Sequence, residues 1–202
     1  MMYQRMSHAG NYKESPKAPR AFTLVETLVA IAILTISIVG PFQIAQGVLQ
    51  QSYLVRDQLI AGGLAQEGME YVRQIRDSNY IYTNHNPAGP NPSWLYGVDG
   101  SIFNNVSSPN CYNFACVVDP SQDGLPGAVL SCLDQLCTSR PLYLSSANLY
   151  NQQLNGSKPT RFTRKVKLKN ISPTETEVTV TVTWDNHGTK TVVLTENLRD
   201  WL

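Results

Sequence analysis

Two hydrophobic periodicities divide this chain. Between Phe22 and about Ala45, apolar side chains fall on every face of a would-be helix. Its densest part runs Thr27-Leu28-Val29-Ala30-Ile31-Ala32-Ile33-Leu34, and no charged residue stands between Thr27 and Val55. A helix apolar all round is not a half-buried surface helix. At ~1.5 Å per residue it would be roughly 36 Å long, enough for a hydrocarbon core of about 30 Å. From Gln43 onward the pattern turns amphipathic, with Ile44, Val48, Val55, Leu59, Val72 and Ile75 at helical spacings among polar residues. One helix is therefore predicted from Phe22 to Asp77. Its first half (22–45) should cross a bilayer or pack in an apolar core, and its second half (46–77) should lie across a soluble domain. Gly40-Pro41 should kink it. Gly62-Gly63 should weaken it by about 2 kcal/mol against two alanines. Pairs at Glu70–Arg73 and Arg73–Asp77 add surface support.

The period changes to two near the C-terminus. Val178, Val180, Val182 and Trp184 alternate with Glu177, Thr179, Thr181 and Thr183. Asp185-Asn186-His187-Gly188 then supplies turn chemistry before a returning strand at Thr189–Leu194. Upstream, Phe162, Val166 and Leu168 alternate with polar residues, although Arg164 interrupts the apolar side. The pattern predicts a three-stranded antiparallel meander whose apolar face the amphipathic helix covers. Lys165, Lys167 and Lys169 form a basic row on the other face, read as solvated in preference to a DNA-contacting stripe. Residues 78–160 carry eight prolines and many Asn, Ser and Gly, and so predict turns. A structureless loop of that length is implausible in a compact domain. Short strands are expected at Tyr112–Val118 and Pro141–Leu144, with a turn near Asn155-Gly156.

Charge sets an orientation. Residues 1–21 hold Arg5, Lys13, Lys17 and Arg20 against Glu14, a net of +3; the remainder holds 12 basic and 14 acidic residues, a net of −2. Basic residues before the apolar run and none until Arg56 place the N-terminus inside and the remainder outside a cytoplasmic membrane. A cleaved secretory signal fits less well, because Gln43 stands where a small residue is wanted before Ala45. An overall charge of only +1 argues against a broadly basic nucleic-acid binder.

Cys111, Cys116, Cys132 and Cys137 form two C-x-x-x-x-C pairs in the outside portion. Oxidising conditions there favour disulfides over a four-thiolate zinc site. The nested pairing (111–137 with 116–132) and the local one (111–116 with 132–137) both remain open. We found no nucleophile elbow, phosphate loop or HExxH, so no catalytic residue, cofactor or metal site is assigned and no enzyme is expected. Asp119-Pro120-Ser121-Gln122-Asp123-Gly124 lacks the length and terminal Glu of a calcium loop and reads as a polar turn. Asn105, Asn155 and Asn170 begin N-x-S triplets, a frequent chance match.

One stretch is more specific. Arg20-Ala21-Phe22-Thr23-Leu24-Val25-Glu26-Thr27-Leu28 resembles the type IV prepilin processing signature: a basic leader, a small residue before Phe, a glutamate four residues on, then an apolar run. It departs from the family pattern at Ala21, where Gly usually stands. A carboxylate inside an apolar stretch costs up to about 2.5–3.5 kcal/mol at a bilayer centre, less near the interface, and usually has a partner. The resemblance names one. A dedicated peptidase would cut between Ala21 and Phe22 and methylate the new amino group, which Glu26 of a neighbouring subunit would neutralise.

The resemblance implies an α+β, pilin-like fold: a long N-terminal helix packed on a small C-terminal antiparallel sheet. It implies a cleaved cytoplasmic leader (1–21) and an exported globular domain (78–202). It further implies a minor pilin or pilin-like subunit of a type IV pilus. The alternatives are a pseudopilin of a type II secretion system, or a tip adhesin or DNA-uptake pilin. Implied partners are other pilins, the prepilin peptidase, the inner-membrane assembly machinery and the lipid bilayer before assembly. A surface or DNA ligand would belong to a tip subunit.

Overall fold

The computed structural model describes residues 21–122, 128–132, 134–154, 156–186 and 188–200. Residues 1–20 of the expected leader (1–21) and the expected turn positions 123, 124, 155 and 187 lie outside them. The chain divides into two compact units, Met1–Leu49 and Gln50–Leu202. The long helix α1 (Leu24–His85) contributes to both.

In the first unit α1 is helical through Gly40-Pro41, and every described side chain is exposed. Its hydroxyls are turned back on the helix. Thr27 Oγ1 donates to Leu24 O and Thr35 Oγ1 to Ala32 O, each at 2.8 Å, while Ser37 Oγ donates to Ile33 O at 2.7 Å. Such bonds satisfy the polar groups internally, so the helix presents a nearly pure hydrocarbon surface. Among the described residues α1 is the helix long and apolar enough to cross a membrane.

Among the described residues the second unit holds ten strands in chain order: β1 (Ile102–Phe103), β2 (Val106–Ser107), β3 (Ala115–Val118), β4 (Val129–Cys132), β5 (Tyr143–Leu144), β6 (Tyr150–Asn151), β7 (Lys158–Pro159), β8 (Phe162–Ser172), β9 (Glu175–Asp185) and β10 (Thr189–Arg199). The main sheet is antiparallel, in the order β10-β9-β8-β3-β4. Its β8-β9-β10 part is the predicted meander, and β3 and β4 extend it to five strands. The strand expected over Tyr112–Val118 forms as β3, whereas β4 was not foreseen. All four residues of β3 are buried because the sheet is covered on both sides there, so no polar phase marks it. The predicted strand at Tyr112 begins only at Ala115, since Asn110 Oδ1 accepts the Tyr112 and Asn113 N–H groups and holds them in a turn. The strand expected from Pro141 is reduced to β5, paired with β6 and β7 in a three-stranded sheet.

The C-terminal half of α1 covers one face of the main sheet, as predicted, but with a different stripe. Ile44 and Leu59 are 70% and 72% exposed, Val48 and Val55 are exposed too, and of the six predicted positions only Val72 and Ile75 join the core. The buried stripe is Ala61, Leu64, Ala65, Gly68, Met69 and Val72. Small residues won because the helix lies close to the sheet. A Cβ on Gly68 would meet Arg164 Cδ at 3.0 Å and Val180 Cγ1 at 3.1 Å. Opposite lie Phe162, Val166, Leu168, Val178, Val180, Val182 and Trp184, all buried. The Gly62-Gly63 pair remains helical.

The helix also runs past Asp77 to His85, because its last turns are held from outside. Asn79 Nδ2 donates to Trp94 O and Tyr96 O (3.3 and 2.9 Å), and Tyr82 packs edge-on to Phe103 with centroids 5.6 Å apart. Asp77 pairs with its neighbour Arg76 rather than with Arg73. Arg73 reaches both Glu70 and Glu196 of β10. The Glu196 carboxylate raises the guanidinium pKa above its usual value against the opposing effect of burial.

Candidate functional site

The expected processing junction, Ala21–Phe22, lies just ahead of the first helical turn. Ala21, Phe22 and Thr23 precede α1 and are exposed, Phe22 at 77%. Thr23 caps the helix: its Oγ1 accepts the Glu26 N–H at 3.2 Å. Thr23 and Glu26 have the S/T-x-x-E spacing of a capping box, a helix-start signal legible in the sequence. The carboxylate of Glu26 therefore stands in the first turn, where the helix dipole favours an anion. The structure brings Ala21, Phe22 and Glu26 into one short exposed segment and leaves the Ala21–Phe22 bond outside regular structure.

The cysteines sit far from that junction along the chain. Cys111 bonds to Cys116 and Cys132 to Cys137, the local pairing. The first bridge belongs to the core beneath α1, and the second packs with Ala115, Val117 and Leu130 in a separate cluster. The two bridges thus occupy opposite faces of β3–β4, and the four sulfurs do not converge as a zinc site requires. Asp134 accepts the Cys137 N–H (2.7 Å), the Thr138 N–H (2.7 Å) and the Thr138 hydroxyl (2.5 Å). The Thr138 hydroxyl bond does most to lower its pKa below the usual value. Asp119 is buried; it accepts the Ser121 N–H and hydroxyl through one oxygen and the Gln152 N–H through the other. It serves as a turn anchor.

Sequence reasoning missed two polar clasps between helix and sheet. Arg164, read as a blemish on the apolar face of β8, is fully buried. Its Nη1 donates to Leu64 O (3.0 Å) and Glu67 Oε2 (2.5 Å), and its Nη2 donates to Val118 O (2.9 Å). One side chain so ties β8 to α1 and β3. Asp57, 1% exposed, accepts from Arg161 Nη2 at 2.5 Å and from Asn186 Nδ2 at 3.3 Å. A charged residue in phase with buried strand positions, plus an acid on the facing helix, is the signal that could have found the first clasp.

Asp99 anchors the β1–β2 hairpin. It accepts the Ser101 N–H and the Ser101 and Ser108 hydroxyls through one oxygen. Burial pushes its pKa up, but hydroxyl bonds from Ser101, Ser93 and Ser108, with the Ser101 N–H, outweigh that and leave it lowered.

A long N-terminal helix whose C-terminal half packs on antiparallel sheets defines an α+β protein of pilin-like architecture. The helix entrance is specific as well: residues 16–40 match the family model of the prokaryotic N-terminal methylation motif, so the chain carries the type IV prepilin-like signature. No curated protein and no solved structure matches the chain. The motif points to a structural subunit rather than an enzyme, to processing by a prepilin peptidase and to assembly with other pilins. With the apolar helix, it suits membrane anchoring before assembly.

Proposed function

We propose that this protein is a minor pilin, a low-copy structural subunit of a type IV pilus. It is inserted with its leader in the cytoplasm and its globular part outside, cut between Ala21 and Phe22, and methylated on the Phe22 nitrogen. The observation that carries the reading is the methylation motif on a capped helix with a nearly pure hydrocarbon surface.

The physics of assembly follows from the cut. Cleavage creates a cationic amine two residues before Leu24, the first helical residue. The positive end of the helix dipole disfavours a cation there. A carboxylate from a neighbouring subunit's Glu26 relieves that repulsion, and in an apolar setting an opposite charge within ~4–6 Å favours both ionised forms. The pairing sets the axial register of one helix against the next. A pseudopilin of a type II secretion system would use the same chemistry, so the choice between filaments is made by location.

Mass spectrometry of material sheared from cells tests the reading. The mature chain should begin with methylated Phe22, and Glu26→Ala should abolish incorporation while leaving the protein in the membrane. A mature chain still carrying residues before Phe22, or normal incorporation of the variant, would overturn the assembly mechanism. Processed protein absent from sheared filaments but present in the periplasm would place it in a pseudopilus instead.

A further inference from the structure

On β8, β9 and β10 the face of the main sheet turned away from α1 is largely polar, and its polarity is ordered. Strand alternation points Lys165, Lys167 and Lys169 of β8 outward while Arg164, Val166 and Leu168 point in. The pairing sets Lys165 beside Thr181 and Val193, Lys167 beside Thr179 and Thr195, and Lys169 beside Glu177 and Asn197. Of these, Lys165, Lys167, Lys169, Glu177, Thr179 and Thr181 line an open groove of about 750 Å³ together with Tyr112, whose hydroxyl shares a 2.6 Å hydrogen bond with Thr176. Among the described residues, the ion pairs on this face join Lys169 to Glu177 and Arg199 to Glu175, each at 3.5 Å. Lys165 and Lys167 have no acid partner among the described residues. Two unmatched ammonium groups thus stand about 7 Å apart along β8, beside rows of threonine hydroxyls.

We propose that this groove binds an acidic polysaccharide whose sugars carry carboxylates. Charge complementarity selects an anion for Lys165 and Lys167. The remainder of the lining selects its chemistry. Thr179, Thr181 and Asn170 offer uncharged hydrogen-bonding groups that match sugar hydroxyls, and Glu177, its charge met by Lys169, can accept from hydroxyls as well. A single-stranded nucleic acid gains much of its binding by stacking bases on aromatic faces, and among the described lining residues Tyr112 is the one aromatic, its hydroxyl already bonded to Thr176. The proposal draws on the pilin reading only for where the groove is displayed: helices bundled inward would turn this face out.

Binding is measured on full-length protein in neutral detergent micelles, so a failure to assemble and a failure to bind are read separately. The probe is polygalacturonate, with neutral dextran and single-stranded DNA as comparators. Polygalacturonate should bind, more weakly as salt rises, and dextran should not. Lys165→Glu with Lys167→Glu should lower affinity roughly tenfold or more. Lys190→Glu, on the face turned toward α1, should not. Thr179→Val with Thr181→Val leaves the charge unchanged and should also weaken binding. Absence of polygalacturonate binding, tighter binding of DNA, or indifference to both double variants would overturn the proposal.

Discussion

Removing Glu67 should harm this fold more than removing the buried arginine that it serves. Arg164 is inaccessible to solvent, whereas the Glu67 side chain is 42% exposed. In Glu67→Ala the guanidinium keeps its bonds to Leu64 O and Val118 O but loses its counter-charge. Breaking a fully buried pair costs about 3–5 kcal/mol. Discounting for the wet side of this one leaves about 2 kcal/mol. In Arg164→Met the stranded carboxylate simply hydrates. Two carbonyls lose a donor, about 1–3 kcal/mol each at worst, while the cost of burying a cation disappears, along with an Nε that has no partner among the described residues. The net should be about 1 kcal/mol. The double variant should resemble Arg164→Met alone, giving a coupling energy of about 2 kcal/mol, equal in size to the Glu67→Ala cost. Urea unfolding of the full chain in micelles, followed by near-ultraviolet circular dichroism, supplies all four corners of the cycle. A Glu67→Ala cost below about 0.5 kcal/mol, or a coupling that small, would refute the assignment of Glu67 as the necessary counter-ion.

Two further outcomes are expected. The lowered pKa of Asp99 means that the folded protein binds its proton less readily than the unfolded chain. Its stabilisation is complete above the unfolded value near pH ~4 and is lost as pH falls below that through the folded value. Unfolding measured between pH 5 and 2 should therefore steepen for the native chain and flatten in Asp99→Asn; equal slopes would contradict the assignment. Each disulfide closes a loop with a sequence separation of 5, which chain entropy values at roughly 2 kcal/mol. Alanine replacement of the Cys111–Cys116 pair, set in the core under α1, should cost more than replacement of the Cys132–Cys137 pair, and a reversed order in thermal melts would show that core position is not what matters.

What the sequence revealed followed the strength of its periodicity. The charge-free run from Thr27 and the unbroken alternation from Glu177 to Trp184 each specify one structure, and both formed. The covering stripe of α1 was misjudged because large β-branched residues carry the hydrophobic signal, whereas close packing on β8 and β9 needed Ala61, Ala65 and Gly68. Strand β3 was blurred because burial on both faces erases alternation. Arg164 looked like an error because its partners lie about 100 residues away in sequence and on another element. At the expected processing junction the types and spacing of Ala21, Phe22 and Glu26 were readable, and the T-x-x-E spacing of the Thr23 cap that fixes where the helix starts stood in the sequence too but went unused.

The local disulfide connectivity has a consequence for the order of events. Loop closure is cheapest over short spans, so each bridge can form once a handful of consecutive residues meets an oxidant, before any distant strand arrives. Cystine formation is thereby uncoupled from tertiary folding, and the chain needs no proofreading of mismatched sulfurs late in maturation.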